Sequence, residues 1–405
     1  MADGQTAPAL IAGGGIGGLA AALALARIGW PSVVLERRTE WSEAGAGIQL
    51  SPNGVRTLEL LGVADYLRPL AGRPCEITVR DAASARVLQC LPLGDWIAHR
   101  HGAPYWQVHR RDLQAALVAR VAAEPLISVV HGFEAVSFAP ECDGARLVAA
   151  DDRTIAGSLL VGADGVFSRV RQQLLASAEP RFSGRTAART VIAAPADAEV
   201  SAILSNAATG VWLAPGAHIV HYPVRAGREI AIVVVRTEPQ SPRGWSEPVA
   251  EDEITGQLRH IAPAFAEALG RGHTWRRWAL FELDPLPSWS KGPVTLLGDA
   301  AHPTLPFLAQ GGTLALEDAA TLAGCLASVS GSAAIPSALA AYETVRRDRS
   351  SRVVAAARRN GMIFHLSGPA AIARNLAMRT LSGERVMAGY DWVYGWRPPG
   401  EGRGA

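Results

Sequence analysis

Two ionisable side chains in the middle of the chain, His218 and Tyr222, have the types and spacing needed to handle a proton together. The surrounding β-branched residues are typical of a strand, on which residues two apart point to the same face. His218 and Tyr222 therefore share a face, and His221 points the other way. Since the ordinary pKa of histidine is about 6.5, His218 can take up a proton near neutral pH, directly or through Tyr222. Two plainer interpretations stay open: His218 as a half-exposed strand residue, and His221 as a structural residue.

A glycine-rich segment near the N-terminus indicates a nucleotide site. Gly13, Gly15 and Gly18 follow a short apolar strand and open an alanine-rich helix, and a second strand ends at Glu36. In such a βαβ unit the glycines allow a tight turn, close approach of a pyrophosphate and close packing of helix on sheet. The helix N-terminus faces the pyrophosphate, and the acid accepts hydrogen bonds from a ribose. The pattern does not choose between NAD and FAD.

Two later segments repeat the step from an apolar strand into a turn and a helix, and each carries an aspartate. Asp164 follows the first strand, in a pattern that many αβ crossovers share. Asp299 follows the second strand, where a carboxylate can hold a cofactor hydroxyl. Gly311 and Gly312 then open a helix whose free N–H groups suit a partly negative group. The second segment is the more specific of the two.

Taken together, these segments resemble the FAD-dependent aromatic hydroxylases of the para-hydroxybenzoate hydroxylase group, over nearly the whole chain. The similarity is greatest to the branch of 3-hydroxybenzoate 6-hydroxylase, salicylate hydroxylase and 6-hydroxynicotinate 3-monooxygenase. In that family the first motif binds the ADP half of FAD, and the aspartate matching Asp299 binds the ribityl chain. The aspartate matching Asp164 is associated with both FAD and NAD(P)H.

The resemblance also assigns individual residues. Arg110 matches an arginine at the cofactor, and Gln49 lies in a segment similar to the flavin-contacting loop. To these we add Arg37, next to Glu36, as a cofactor-binding residue. His218 and Tyr222 match a His and a Tyr, four apart, that meet the substrate hydroxyl in related enzymes. Gln310 corresponds to a polar group of the substrate pocket, and a turn-stabilising amide is its plainer interpretation.

The same segments indicate how the chain is organised. The three strand-turn-helix signals are far apart in sequence, as expected if one domain is assembled from separated pieces, and runs of β-branched residues lie between them. Near the C-terminus, apolar residues recur every three or four positions, as in an amphipathic helix. We therefore predict an α/β fold with three parts: a discontinuous Rossmann-like FAD-binding domain (1–74, 100–180 and 275–330), an inserted, mainly antiparallel β-sheet substrate domain (75–99 and 181–274), and a C-terminal helical region (331–405).

Composition excludes several other classes of protein. The chain has 405 residues, 49% hydrophobic and 19% charged, enough to bury more than one core. A net charge of +2 provides no uniform field for nucleic acid or an anionic membrane. The longest apolar stretch is much shorter than the ~20 residues that span a bilayer, and no signal peptide is visible. Four scattered cysteines lack ligand spacing, so we expect no metal site, and free thiols in the cytoplasm.

The family's chemistry implies the remaining partners. NAD(P)H reduces FAD, O₂ adds at the flavin C4a, and the resulting hydroperoxide transfers its distal oxygen to an electron-rich ring. We therefore predict FAD as cofactor, NADH or NADPH as co-substrate, and O₂ with a small phenolic or hydroxypyridine carboxylic acid as substrates. We consider a homodimer as the assembly. Three other functions stay open: a flavin dehydrogenase, reductase or halogenase, a plain NAD-dependent dehydrogenase, and a non-catalytic flavin-binding paralogue.

Overall fold

The computed structural model describes residues 7–41, 46–175, 179–242 and 245–399. These residues form nineteen strands and fourteen α-helices. The strands are β1 (Ala9–Ala12), β2 (Ser32–Glu36), β3 (Gly47–Leu50), β4 (Glu76–Asp81), β5 (Val87–Pro92), β6 (Trp106–His109), β7 (Ile127–His131), β8 (Ala135–Glu141), β9 (Gly144–Ala149), β10 (Thr154–Gly157), β11 (Leu159–Gly162), β12 (Arg181–Ala193), β13 (Thr209–Ala214), β14 (Ala217–Val224), β15 (Glu229–Thr237), β16 (Ser246–Val249), β17 (Trp275–Glu282), β18 (Ser290–Lys291) and β19 (Val294–Leu296).

The helices account for much of the remaining chain. They are α1 (Ile16–Arg27), α2 (Pro52–Leu60), α3 (Ala64–Leu67), α4 (Gly94–His101), α5 (Arg110–Ala122), α6 (Arg169–Leu175), α7 (Ala198–Ile203), α8 (Glu251–Ile261), α9 (Pro263–Leu269), α10 (Gly311–Leu326), α11 (Ile335–Phe364), α12 (Gly368–Thr380), α13 (Gly383–Ala388) and α14 (Asp391–Tyr394). Short 3₁₀ turns lie at Gly298–Ala300, Pro306–Leu308 and Ser332–Ala334.

A six-stranded sheet in the order β18-β19-β11-β1-β2-β7 forms the nucleotide-binding half. Its strands are parallel except for the short β18 at the edge. All four residues of β1 are buried, as expected for a central parallel strand covered on both faces. The strands come from three distant parts of the chain, so the predicted discontinuous domain is confirmed.

A second, eight-stranded sheet has the order β16-β17-β12-β15-β14-β13-β4-β5. Only the pair of β13 and β4 is parallel, which confirms the prediction of a mainly antiparallel sheet. Helices α8 and α9 cover one face of this sheet through an apolar cluster that includes Phe265 and Trp212. The other face is turned towards the nucleotide-binding half and supplies one wall of the site described below.

One predicted domain boundary is wrong. We expected the FAD-binding domain to resume at residue 275, but β17 pairs with β12 and β16 inside the eight-stranded sheet. The chain returns to the six-stranded sheet only at β18. Trp275 and Ala279 of β17 are buried, which a strand inside the second sheet requires.

The C-terminal region is helical, as predicted, and is dominated by the thirty-residue helix α11. This helix packs against α10, and Tyr342 on it donates a hydrogen bond to the Leu296 carbonyl at the end of β19 (3.0 Å). Residues 400–405, the end of the predicted C-terminal region, lie outside the described part of the chain. No helix in the described ranges is long and apolar enough to cross a bilayer.

Candidate active site

A cleft runs between the two sheets and consists of two adjoining cavities. Gly15, Arg110, Arg189 and Asp299 line both of them, so the cavities are continuous. The first cavity extends to the end of β2 and corresponds to the predicted dinucleotide site. The second cavity extends to the inner face of the eight-stranded sheet and corresponds to the predicted substrate site.

The three glycines of the first motif meet three separate steric requirements. Gly13 has φ +110°, and a Cβ there would lie 2.5 Å from the Ala163 carbonyl oxygen. A Cβ on Gly18 would collide with the Gly13 carbonyl oxygen. Gly15 faces open space, with no protein atom within 4 Å of a Cβ position. Gly13 and Gly18 are therefore required for packing. Gly15 leaves open space in which a pyrophosphate can approach the backbone.

The Glu36 carboxylate, at the end of β2, lines the first cavity. Its oxygens accept hydrogen bonds from the backbone N–H groups of Gly14 (2.9 Å) and Arg38 (3.0 Å). These bonds hold the carboxylate in place and leave further lone pairs for a ribose. The structure does not support our assignment of Arg37, because that side chain is exposed and does not line the cleft. Arg38, which the sequence analysis missed, lines it instead.

Asp299 lies in the 3₁₀ turn that follows β19, and its side chain faces both cavities. The surrounding walls of the cleft raise the pKa of the carboxyl above 3.8, although the nearby His302 and Arg110 oppose that shift. A ligand hydroxyl in the cleft could donate a hydrogen bond to this carboxylate. Such a contact fits the predicted role of Asp299 toward a ribityl chain.

A buried ion pair between α10 and α11 holds this turn in place. Asp318 accepts hydrogen bonds from the backbone N–H of Gly298 (2.9 Å), from His302 (2.6 Å) and from Arg346 of α11 (2.6 Å). Burial alone would raise the pKa of Asp318, but His302 and Arg346 outweigh it and lower the pKa to about 2. The turn that carries Asp299 is therefore held by an ionised carboxylate.

The adjacent Glu317 extends the network towards α2. It pairs with Arg346 and Arg349 and accepts a hydrogen bond from the Asn53 side chain, each at 2.7 Å. Gln310 is fully buried beside it, donating to the Ser51 hydroxyl (2.8 Å) and accepting from Asn53 (3.1 Å). The prediction that Gln310 is a polar group of the pocket is therefore wrong: both ends of its amide are used within the protein, and it does not line the cavity.

The start of α10 lies against the second cavity. Gly311 and Gly312 line it, and their N–H groups belong to the first turn, where α-helices leave donors unpaired. The nearest atom to a Cβ built on Gly311 would be Thr304 Cβ, at 4.0 Å. A ligand carbonyl oxygen could therefore come close to the helix end, as the sequence predicts for a partly negative group.

The remaining predicted cofactor residues take different positions. Arg110 begins α5 and lines both cavities, and Gln49 lines the second cavity while accepting a hydrogen bond from Tyr105 (2.7 Å). The carboxylate of Asp164 is not part of the cleft lining. It accepts bonds from the Ser168 hydroxyl (2.5 Å) and from the N–H of Arg169 (2.7 Å), at the start of α6. The structure thus places Asp164 as a helix cap, and its neighbour Gly165 lines the cleft.

His218 and Tyr222, on β14, both line the second cavity. His218 is only 2% exposed, and its Nδ1 lies 2.8 Å from Nε2 of His365, just beyond the end of α11. Burial lowers the pKa of His218 well below 6.5, and His365 and Arg185 lower it further. His218 is therefore neutral around neutral pH, and Nε2 is the ring nitrogen left to meet a ligand.

Tyr222 is 4% exposed, and burial raises the pKa of its hydroxyl to about 12, with Arg189 opposing the rise. His221 lies on the opposite face of β14, as predicted, and packs against Trp212 and Phe265. Burial lowers the pKa of His221 to about 3. Only one of the two strand histidines can therefore meet a ligand in the cavity.

Two residues of this region were not predicted from the sequence: Arg189, which lines the second cavity, and His365, which contacts His218. Arg189 lies on β12, and Arg185 lies four residues before it on the same strand. That spacing places both arginines on one face, a signal that could have been read. His365 approaches His218 from 147 residues away, and no local pattern predicts such a contact. No group of three metal-ligating side chains occurs in the part of the chain that is described.

Comparisons with known proteins identify the family and the fold. A family described as FAD binding domain matches residues 6–357. The chain is 37% identical over 388 residues to 3-hydroxybenzoate 6-hydroxylase 1 of Aquipseudomonas alcaligenes, covering 95% of this chain and 97% of that protein. It is 34% identical to 6-hydroxynicotinate 3-monooxygenase of Bordetella bronchiseptica, with coverages of 85% and 88%. The crystal structure of Klebsiella pneumoniae HpxO with FAD and uric acid superimposes with a TM-score of 0.84, at 26% identity and 95% coverage of each chain.

The two strand-end carboxylates generate a prediction about flavin retention. Glu36→Ala and Asp299→Ala should each weaken FAD binding about ten- to a hundredfold, because each removes a hydrogen bond to an ionised acceptor, worth about 1.5–3 kcal/mol. The dissociation constant of FAD for the deflavinated protein, followed by flavin fluorescence, measures this. Arg37→Ala, in an exposed residue outside the cleft lining, is the matched control. Equal affinities in all four proteins would contradict the assignment.

The buried carboxylate generates a prediction about stability. The pKa of Asp318 is lowered from 3.8 to about 2, so its contribution, roughly 2 kcal/mol, is complete above about pH 4 and lost as pH falls towards 2. Asp318→Asn should remove this pH dependence and cost about 3–5 kcal/mol near pH 7, because it leaves buried charge uncompensated.

Urea unfolding at pH 7, 4 and 3 measures both effects. The matched control is Asp391→Asn, because Asp391 pairs with Arg100 at the same 2.6 Å but is 43% exposed. Removing that exposed pair should cost no more than about 1 kcal/mol. A similar loss in the two variants would contradict a special role for the buried network.

Proposed function

The chain belongs to the FAD binding domain family of flavoprotein monooxygenases, and from that membership we propose that it hydroxylates a phenolic or hydroxypyridine carboxylic acid. It is an FAD-dependent aromatic monooxygenase, as the resemblance in the sequence implied. The ring that it hydroxylates is the part that we propose. The observation that carries the proposal is the pair of His218 and Tyr222 in a cavity continuous with the dinucleotide cleft.

The residues of the cleft fit the cofactor. Gly15 leaves an open cradle at the start of α1, Glu36 and Asp299 offer carboxylates at two places along the cleft, and Gly311 offers a helix end. When bound, FAD accepts a hydride from NADH or NADPH and activates O₂. The overall reaction consumes substrate, NAD(P)H, a proton and O₂, and yields hydroxylated product, NAD(P)⁺ and water. One oxygen atom enters the ring and the other leaves as water.

We propose that His218 removes the proton from the substrate hydroxyl. Its Nε2 accepts that proton in the tautomer whose Nδ1–H donates to Nε2 of His365, 2.8 Å away, and a second imidazole then shares the charge. The neutral form needed for this step persists at neutral pH, because the pKa of His218 lies well below 6.5. Tyr222 stays protonated under the same conditions and can donate or relay a hydrogen bond. Deprotonation makes the ring electron-rich, which an electrophilic oxygen donor requires.

Apolar side chains form much of the remaining wall of the cavity. Its walls include Ile48, Val220, Val233, Val235 and Leu297, and the eight-stranded sheet behind them is closely packed. A dry site prevents reducing equivalents from being lost to hydrogen peroxide. We therefore propose that substrate binding both orients the ring and completes this apolar enclosure.

The class of substrate rests on the relatives. Two of them are named for hydroxybenzoate and hydroxynicotinate substrates, both of them aromatic acids that carry a ring hydroxyl. His218 and Tyr222 both line the second cavity. A substrate hydroxyl can therefore face His218 only if the ring lies in that cavity. We further propose that the enzyme works in the cytoplasm, where NAD(P)H is available, and as a homodimer, which a mass measurement by light scattering would test.

A panel assay tests the function directly. The FAD-loaded protein is incubated with NADH or NADPH and each of 3-hydroxybenzoate, 4-hydroxybenzoate, salicylate and 6-hydroxynicotinate. We expect one or more of these acids to stimulate NAD(P)H oxidation with stoichiometric hydroxylated product and little hydrogen peroxide. Oxidation without any hydroxylated product would favour a flavin dehydrogenase or reductase instead. A protein that never oxidises NAD(P)H would match a non-catalytic paralogue.

The His218 assignment generates a prediction about pH. His218→Ala should slow hydroxylation by about 10²–10⁴-fold, the usual effect of a positioned base, without changing FAD content. Raising the pH should partly restore the rate, because a phenol of pKa about 10 then ionises without help. In the wild type the acid limb of kcat should lie below pH 6.5, because the pKa of His218 is lowered.

His221→Ala is the matched control, since it removes a histidine from the other face of the same strand. It should keep the wild-type pH profile and the coupling of NAD(P)H oxidation to product. If His221→Ala lost both while His218→Ala kept them, the assignment of the base would be wrong.

A further inference from the structure

We propose that Arg189 binds the carboxylate of the substrate and thereby restricts the enzyme to acidic aromatic compounds. The inference rests on the proposed function, because it takes the substrate to be an aromatic acid. It adds the residue that recognises the acid group, which neither the motifs nor the comparisons identify.

The register of the eight-stranded sheet places Arg189 two strands away from His218 and Tyr222, level with the midpoint between them. Arg189 on β12 pairs with Val233 on β15, which pairs with Val220 on β14. His218 and Tyr222 flank Val220 on the same face, two residues away on either side. Arg189 is thus two strands away from them, roughly 10 Å across the sheet at ~4.8 Å per strand. An aromatic ring that spans this distance has one end at the arginine and the other at the histidine.

The charge of Arg189 has no acidic partner among the described residues. Its Nε is buried and makes no hydrogen bond, and its guanidinium carbon lies 5.2 Å from the centre of the Trp278 ring. Burial lowers the pKa of the half-buried Arg189, as expected for a partly desolvated cation. A cation desolvated in this way is stabilised when a carboxylate pairs with it, and a guanidinium can bind a carboxylate through two parallel hydrogen bonds.

Two other arginines near the cavity are less suited to this role. Arg110 also lines the second cavity, but it is exposed at the start of α5 and lies near Asp299, one of the predicted cofactor residues. Arg185 shares the inner face of β12, but its guanidinium lies 5.3 Å from the Phe307 ring and it does not line the cavity. Arg189 is therefore the arginine of the sheet wall that a ring in the second cavity would meet.

This arrangement explains how a hydroxyl is brought to the base. A carboxylate anchored at Arg189 fixes one end of the ring, so the position of the hydroxyl relative to the carboxylate decides whether it meets His218. Neutral phenols lack the anchor and should bind weakly in several orientations. Arg189 is thus a positioning residue for the reaction and a determinant of specificity.

The experiment compares an acid with its uncharged analogue. The best-binding acid of the panel and its carboxamide are titrated into oxidised, FAD-loaded wild type, Arg189→Gln, Arg189→Lys and Arg185→Gln, without NAD(P)H. The change in the flavin absorption spectrum gives each dissociation constant, so the readout does not depend on turnover. FAD content and thermal melting verify that each variant is folded.

We expect the wild type to prefer the acid, and Arg189→Gln to weaken acid binding about ten- to a hundredfold while changing carboxamide binding little. Arg189→Lys should restore part of the preference, because it keeps the charge and loses the two-pronged geometry. Arg185→Gln should retain the wild-type preference.

Four results would overturn the inference. Equal weakening of acid and carboxamide in Arg189→Gln would mean that Arg189 only supports the cavity. Loss of FAD from this variant would mean that it serves the cofactor. A wild type that binds acid and carboxamide equally would need no carboxylate anchor, yet the proposed function would stand. A wild type that binds no aromatic acid at all would overturn the proposed function and this inference with it.

Discussion

The ionised carboxylates Glu317 and Asp318 on one helix are the constraint on which the rest of the site depends. Both are fully buried, and each is neutralised by arginines from α11. Buried charges tolerate little displacement, because the attraction offsets the desolvation only when the geometry is good. The pair therefore fixes α10 against α11, and Asp318 in turn holds the backbone of Gly298, next to Asp299. The geometry at the cofactor end of the cleft is therefore fixed by a network whose charged side chains, Glu317, Asp318 and Arg346, do not line the cleft.

The substrate end obtains its precision differently, from a hydrogen-bonded sheet. Because β12, β15 and β14 are in fixed register, the side chains on their inner face form a lattice with known spacings. Polar groups occur on this lattice only at a few points, and apolar residues fill the positions between them. A slip of one residue on β14 would replace His218 and Tyr222 by residues of the opposite face, so the register itself selects the chemistry.

The sequence predicted those features that depend on local patterns. The βαβ unit, the strand-end acids and the orientation of His218 relative to His221 all follow from periodicity and from residue types within a short window. Local patterns do not predict partners that are distant in sequence. His365 contacts His218, and Arg346 contacts Asp318, only because the tertiary fold brings their elements together. Gln310 shows the converse error, because a polar residue next to a site can be used entirely by neighbouring side chains. The boundary at β17 failed because a strand carries no local mark of the sheet that it joins.

The order of the central strands has a consequence for how the protein is made. Strand β1 lies beside β11, about 150 residues later, and β11 lies beside β19, which emerges only after residue 290. The arginines that neutralise Glu317 and Asp318 follow later still, in α11. During synthesis the first half of the nucleotide-binding sheet must therefore wait, with its apolar edge unpaired, until most of the chain has left the ribosome. A chain truncated before Arg346 would therefore contain Glu317 and Asp318 without the arginines that neutralise them.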